Sequence, residues 1–501
     1  MRTRSKHTCI SRIKMLTCML FVLLNSVAGA QTIIKSYPDK VASRFSDYDI
    51  VGKNKSGVIV HYFGPNDNEL VTYDDKLRMD NRRILPFHPK DVNIESFVVL
   101  PEKILLFYTT PTETYQYFRM VEIDEKLNIS NTSLTLDSMS VVNIGKGKAF
   151  YVRTSPDKSK LLTFSVIKTK NAYFVRFTIL NSQAQVLKKN IFTITETPNV
   201  SLKSIKINNQ GNVVGVFGNE DNYNNSDFNF DKFTTLTYNM ETNTIGEQVM
   251  QSAEYSFKNI AAEVSTQRDI AYLATTYKNN KNKNDIGLQF QVIDFRTNTV
   301  LLNARLPFSE SSFKKTPNNV YKTWQDKATL IKPKRIIPRS DGGFILITEG
   351  EYKLTKVERL QTNTYGYYNA APYMSSARYI DQNHYYDIQV FSINKDGTLD
   401  WQATMPKSQV SENDEGYYSS FAMFEANNVL KFLYNEDFYN IGNFVEYNIN
   451  PNGQAKRLSV LNSEKQGLVI VPLKARQLDG NTIIFPSEQK RTLQFVMFKY
   501  D

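Results

Sequence analysis

The stretch "VFSINKDGTLDW", Val390 to Trp401, holds an apolar run that stops at Asn394-Lys395-Asp396-Gly397 and then restarts at once. Aligning on Ile393, the last apolar residue before the turn, finds the same pattern elsewhere: "VTYDDKL" at Tyr73, "VEIDEKL" at Ile123, "TILNSQA" at Leu180 and "LTYNMET" at Tyr238. It recurs as "QVIDFRT" at Ile293, "YNINPNG" at Ile449 and "FKYD" at Tyr500. Successive copies are 50, 57, 58, 55, 100, 56 and 51 residues apart. In all eight the next residue is Asp or Asn: Asp74, Asp124, Asn181, Asn239, Asp294, Asn394, Asn450 and Asp501. Such side chains close turns by accepting bonds from the backbone just ahead, and they tolerate left-handed conformations. Each copy therefore predicts the corner of a β-hairpin.

A second element precedes each corner. The apolar runs "GVIVHYF", "KILLFY", "KLLTFSVI", "NVVGVF", "DIAYLATTY", "GGFILIT", "NVLKFLY" and "NTIIF" are short, nearly continuous and rich in β-branched and aromatic residues. Runs of this kind read as strands buried on both faces. Eight units of about 50–58 residues, each with an inner buried strand and an outer hairpin, resemble the β-propeller superfamily with four-stranded blades. The resemblance covers residues 31–501 as one all-β domain. No clear WD40 or kelch signature accompanies it, so it implies a fold and no activity. Eight blades are expected, or seven if one degenerate unit is miscounted; two packed β domains are the alternative. The last unit stops at its third strand, Leu493 to Asp501, and "QTIIKSY" from Gln31 is placed to supply the fourth, closing the ring and removing an exposed edge.

The one spacing of 100 residues contains a single buried-type run, "GGFILIT", and so predicts one blade with two insertions. One, at about 303–330, precedes the first strand of that blade; the other, at about 351–386, joins its second and third strands. In an antiparallel meander both connections leave the sheet at the same end. The loops Asn219–Asp231 and Lys278–Asp285 emerge there too. The larger insertion carries Tyr365, Tyr367, Tyr368, Tyr373, Tyr379, Tyr385 and Tyr386, and the smaller carries Trp324. Aromatic rings with polar tips suit recognition of a protein or a glycan. The alternative is that the insertion folds down and buries its own rings. Trp401, beside a corner at the opposite end, reads as packing.

Residues 1–30 read as a secretory signal. "MRTRSKHTCISRIK" is basic without an acid, and "MLTCMLFVLLNSVAGA" is apolar and ends in small residues. An uncleaved anchor is the alternative, although the apolar part is short for a span, and no second hydrophobic span follows. Cleavage before Gln31 removes both cysteines, Cys9 and Cys18, so disulfides hold nothing together. It also lowers the net charge from +11 to +6, with 56 basic against 50 acidic residues. That mild excess is spread along the chain, which argues against a nucleic-acid partner. An exported protein is expected, periplasmic, surface-associated or secreted, and the compact signal followed by a chain without cysteine leans bacterial.

Sites for chemistry are sparse. "DFNFD" offers Asp227, Asn229 and Asp231 at alternating positions, but it lacks the Gly and Glu of a calcium loop, so a solvated loop is the expectation. The chain after residue 30 has only His61, His88 and His384 and no cysteine, which leaves no zinc spacing; no cofactor is implied. No G-x-S-x-G elbow, H-E-x-x-H or phosphate-cradling loop occurs. His61 lies in a buried-type strand and reads as a hydrogen-bonded core residue. His384, beside Asp381, Tyr385 and Tyr386, is the one candidate acid or base. Two readings survive. The chain is a non-catalytic exported propeller binding a protein or glycan through the insertion face with Trp324, Tyr365, Tyr367, Tyr368, Tyr373 and Tyr379, or it is a carbohydrate-active enzyme, a lyase or glycosidase, with an axial pocket on that face. The enzyme reading requires histidine and carboxylates to converge in the pocket.

Overall fold

The computed structural model describes residues 31–40, 47–144, 148–195, 200–219, 230–313, 323–359, 377–436, 442–489 and 492–500. The expected export signal, residues 1–30, lies outside the described residues. Strands within 47–84, 93–140, 150–194, 200–251, 255–307, 331–405, 422–462 and 476–500 form eight antiparallel sheets, each following chain order. The molecule is an eight-bladed β-propeller.

The corners form as the Asp and Asn chemistry requires. Asp74 Oδ1 accepts from the Lys76 amide at 2.9 Å, Asn181 Oδ1 from Gln183 at 3.0 Å, Asp294 Oδ1 from Arg296 at 2.7 Å and Asn450 Oδ1 from Asn452 at 3.1 Å. The left-handed residue is not the Asp or Asn itself. It comes three positions later, at Leu77, Leu127, Ala184, Gly397 and Gly453, with φ of 56, 63, 64, 85 and 77°. Leu77 and Leu127 drop into the clefts between blades and are fully buried. A left-handed L-residue costs about 1–2 kcal/mol, and burying a leucine contributes about 1.5–3 kcal/mol. Burial therefore wins at these two corners.

Each apolar run is the second strand of its blade, counted outward from the axis. The innermost strands are the first of each blade, and they are more polar and irregular than an inner buried strand would be. Those of blades eight, one, two, three, four, five and six neighbour one another in turn. Beta-bulges interrupt the first strands of blades one, two, four, five and six. Their clean apolar alternation is lost, and the sequence signal with it.

Eight apolar clusters are present among the described residues, and each is shared by two consecutive blades. One of them joins blade eight to blade one through Ile484, Phe495 and Met497 against Tyr48, Ile50 and Val60. The ring is thus packed all the way round, which selects eight blades over seven and over two packed domains. The N-terminal strand Gln31–Lys35 completes blade eight against Thr492–Tyr500, in register from Gln31 with Tyr500 to Lys35 with Val496. Its alternating side chains serve both neighbours, because Ile33 packs on the cluster of blades seven and eight while Ile34 packs on that of blades eight and one.

Candidate functional site

Blade six departs from its neighbours. Its second and third strands, Phe344–Arg359 and Ala377–Ile393, are 16 and 17 residues long and stay paired to Arg359 with Ala377. The first strand of the blade reaches only Gly350. Residues 351–359 and 377–385 therefore continue beyond the blade as a two-stranded ribbon. The described residues of the larger insertion, 351–359 and 377–386, are thus strand where a loop was expected, because the paired backbone groups of blade six propagate outward through nine further residue pairs to Arg359. A short strand, Gln409–Glu412, joins the base of the ribbon against Gln382–Tyr385. Toward its end Val357 and Tyr379 sit opposite each other across the two strands, 53 % and 68 % exposed. Tyr365, Tyr367, Tyr368 and Tyr373 lie outside the described residues.

The ribbon is anchored by buried charge. Glu349 and the Lys407 side chain are fully buried and form an ion pair. Ser420 Oγ donates to Glu349 at 2.7 Å, and Lys407 Nζ donates to Gln409 Oε1 at 3.0 Å. Gln409 Nε2 in turn donates to the Asn435 carbonyl of blade seven at 2.6 Å. Lys334 of the inner strand lies 3.5 Å from Glu349. Two buried charges are tolerated because their remaining hydrogen-bonding capacity is filled. The network joins the inner strand of blade six, the root of the ribbon and blade seven. A glutamate directly after "FILIT" was its one visible sequence sign.

The smaller insertion begins later than expected, since Val300–Pro307 is the fourth strand of blade five. Its described residues beyond Pro307 fold down. Trp324 is half-buried on the cluster of blades five and six, stacked on Phe313 with ring centroids 6.4 Å apart. Gln325 donates to Asn284 at 2.8 Å, so this insertion touches the Lys278–Asp285 loop on the shared face. At the opposite end Trp401 packs over Gly453 and donates its indole N–H to the Pro451 carbonyl at 3.0 Å.

A pocket of about 580 Å³ runs down the axis from this same face. Its walls come from the inner strands of blades eight, one, two and three, with Arg476, Asp49, Glu95 and Arg153, and from His61, Phe63 and Asn68 of blade one. His61 is buried, and its Nε2 lies 3.2 Å from Asn68 Oδ1. Burial pushes its pKa down to about 4, with the Asn68 contact opposing. Its hydrogen-bond partner is an amide and not a carboxylate, as suits a core residue. His384 lies on the ribbon, away from the pocket lining. Its ring packs between Tyr352 and Tyr386, and its Nδ1 is 3.2 Å from the Tyr386 hydroxyl. Burial and then the charge of Lys356 hold its pKa below the ordinary histidine value. His61 shares the pocket with Asp49 and Glu95, but among the described residues its hydrogen bond goes to Asn68 and to neither carboxylate, and His384 lies apart from all three.

Among the described residues no group of three or more His, Cys, Asp or Glu side chains is placed to hold a metal ion. Asp231 is exposed, while Asp227 and Asn229 lie outside the described residues. No described helix is long and apolar enough to cross a membrane. Asp49, Arg153 and Arg476 were missed in the sequence because they sit on the inner strands. Counting back from each buried run to the preceding short segment that mixes charged and apolar residues, such as "FYVRT" or "RQLD", would have found them.

No protein-family profile and no curated protein matches the chain. Solved structures similar to it include a prolyl endopeptidase at 11 % identity, covering 92 % of this chain with a TM-score of 0.39. The match spans 55 % of that endopeptidase chain. The β-propeller domain of the Trilobed protease from Pyrococcus furiosus is similar at 11 % identity, covering 82 % of this chain and 95 % of its own, with a TM-score of 0.34. A chimera of ACO and RPE65 is similar at 8 % identity, 86 % and 93 % coverage and a TM-score of 0.35. At these scores the assignment of fold rests on the blades themselves.

Proposed function

We propose that this chain is an exported, non-catalytic propeller that holds a protein or glycan partner on the face bearing the blade-six ribbon. The observation that carries the reading is the ribbon. It projects two paired strands past the blade, presents Val357 and Tyr379 to solvent as a cross-strand pair, and is rooted in a buried ion pair. A stiff support that displays an apolar and aromatic surface suits recognition, since little order is lost on binding. Trp324 contributes through the edge it leaves exposed. The tyrosines at 365, 367, 368 and 373 belong to the same insertion and lie outside the described residues.

The test replaces residues 356–380 by a two-residue Asn-Gly turn, which keeps the network at the root, and compares capture of envelope proteins and immobilised glycans with that of the intact chain. Loss of a partner by the folded variant supports the reading. Equal capture by both chains overturns it.

A further inference from the structure

Two guanidinium groups that line the axial pocket form no ion pair within 4 Å among the described residues. Arg153, on the inner strand of blade three, makes one hydrogen bond among the described residues, to the neighbouring Val152 carbonyl at 2.9 Å. Arg476, on the inner strand of blade eight, makes none. Both are exposed, and both line the same cavity. Surface arginines often lie unpaired in open water, but these two come from the inner strands of two different blades and line one concave, partly open pocket. There, field lines from both converge and screening by salt is weaker. Lys158, in the hairpin that follows Arg153, adds to the positive end: its ammonium donates to the Val99 carbonyl at 3.0 Å and feels the charge of Arg476.

The rest of the lining is of another kind. Asp49 and Glu95 offer carboxylate oxygens, and Asn68, Asn93, Ser96 and Thr154 add neutral polar groups. Glu95 also pairs with Lys148 at 2.9 Å. Asp49 is exposed at the pocket wall; partial burial raises the pKa of its carboxyl, against the pull of Arg476 and Lys474. Phe63 and Phe97 supply ring surface. A ligand that satisfies this lining carries a carboxylate for the arginines, several hydroxyls for the acids and amides, and an apolar face for the rings. A phosphate dianion meets the arginines but is repelled by Asp49 and Glu95. A neutral sugar leaves both guanidiniums unused.

We propose that the axial pocket binds an acidic saccharide, with a uronate carboxylate held between Arg153 and Arg476 and sugar hydroxyls donating to Asp49 and Glu95. The volume of about 580 Å³ falls within the range of small-ligand sites and accommodates a short oligomer. This site is separate from the ribbon surface and stands without it.

The experiment is titration calorimetry of the purified protein with digalacturonate, cellobiose and inorganic phosphate. Digalacturonate is expected to bind, and to bind more weakly as salt rises. Arg153→Gln and Arg476→Gln should each weaken it by about tenfold or more, since each removes a charge-assisted bond. Asp49→Asn should weaken it less. Both arginine variants are exposed substitutions, and an unchanged unfolding midpoint verifies that they fold. The chain with the trimmed ribbon should bind digalacturonate as the intact chain does, which separates this proposal from the one above. Absence of binding, equal affinity for cellobiose or phosphate, or unchanged affinity in both folded arginine variants overturns it.

Discussion

The axial pocket and the root of the blade-six ribbon both concentrate charge, and they treat it in opposite ways. At the root, Glu349 and Lys407 are shut away from water with every strong partner in place: Ser420, Gln409 and Lys334 complete the pair. In the pocket, Arg153 and Arg476 face a water-accessible channel with no carboxylate within 4 Å among the described residues. A buried charge without a partner costs several kcal/mol, so the first arrangement must be complete for the chain to fold. An accessible charge costs almost nothing, so the second is free to wait for a ligand. Pairing thus marks charges that hold the propeller together, and its lack along a pocket wall marks charges available for binding.

The largest effect should come from breaking the pair at the root. Lys407→Met leaves the fully buried Glu349 without its closest cation, with only Lys334 at 3.5 Å to compensate it, and should destabilise the protein by up to about 3–5 kcal/mol in urea unfolding. Adding Glu349→Leu should recover most of that loss; if the double variant is no better than the single one, the pair is not the cause.

Next comes acid sensitivity through His61, which borders the pocket but belongs to the core. Its folded pKa of about 4 lies below the ordinary 6.5, so the unfolded chain binds more protons between those values. Stability from this group is fully present above about pH 6.5 and is lost as the pH falls toward 4, by up to roughly 3 kcal/mol. His61→Gln should flatten the slope of stability between pH 6.5 and 4, read from unfolding midpoints; an unchanged slope would assign the acid sensitivity elsewhere.

A smaller effect is expected where blades six and seven meet at the far end. Gly453 has φ of +77°, and a Cβ there would come within 2.5 Å of the Trp401 ring. Gly453→Ala should cost about 1–3 kcal/mol and change the tryptophan fluorescence. If it does neither, Trp401 does not pack over this corner. The smallest effect belongs to the pocket: Arg153→Gln and Arg476→Gln should shift stability by less than about 0.5 kcal/mol. A larger loss would mean that these arginines are structural, and it would dissolve the contrast between the two regions.

The corners at Asp74, Asp124, Asn181 and the rest were legible because an Asx turn is made by one side chain and the amides a few residues ahead. The second strands were legible because burial on both faces leaves continuous apolar runs. The inner strands were not, since bulges break their alternation and the axis admits polar groups. Residues 351–359 read as a loop because nothing in "YKLTKVER" marks a strand as strongly as its pairing with residues 377–385 does. His384 read as reactive from its neighbours in sequence; in space those neighbours are tyrosine rings that pack it.

What the sequence determined by itself is the architecture: seven hairpin corners, eight buried strands and an N-terminal strand suited to the last blade. Turn chemistry and strand burial act over a few residues, so they leave a local record. The tertiary structure alone decided which charges meet. Lys407 reaches Glu349 from 58 residues away, and Arg476 comes to share a pocket with Arg153 only because blade eight packs against blade one and closes the ring. Contacts made by ring closure depend on the geometry of all the blades at once, and no short stretch of sequence encodes that.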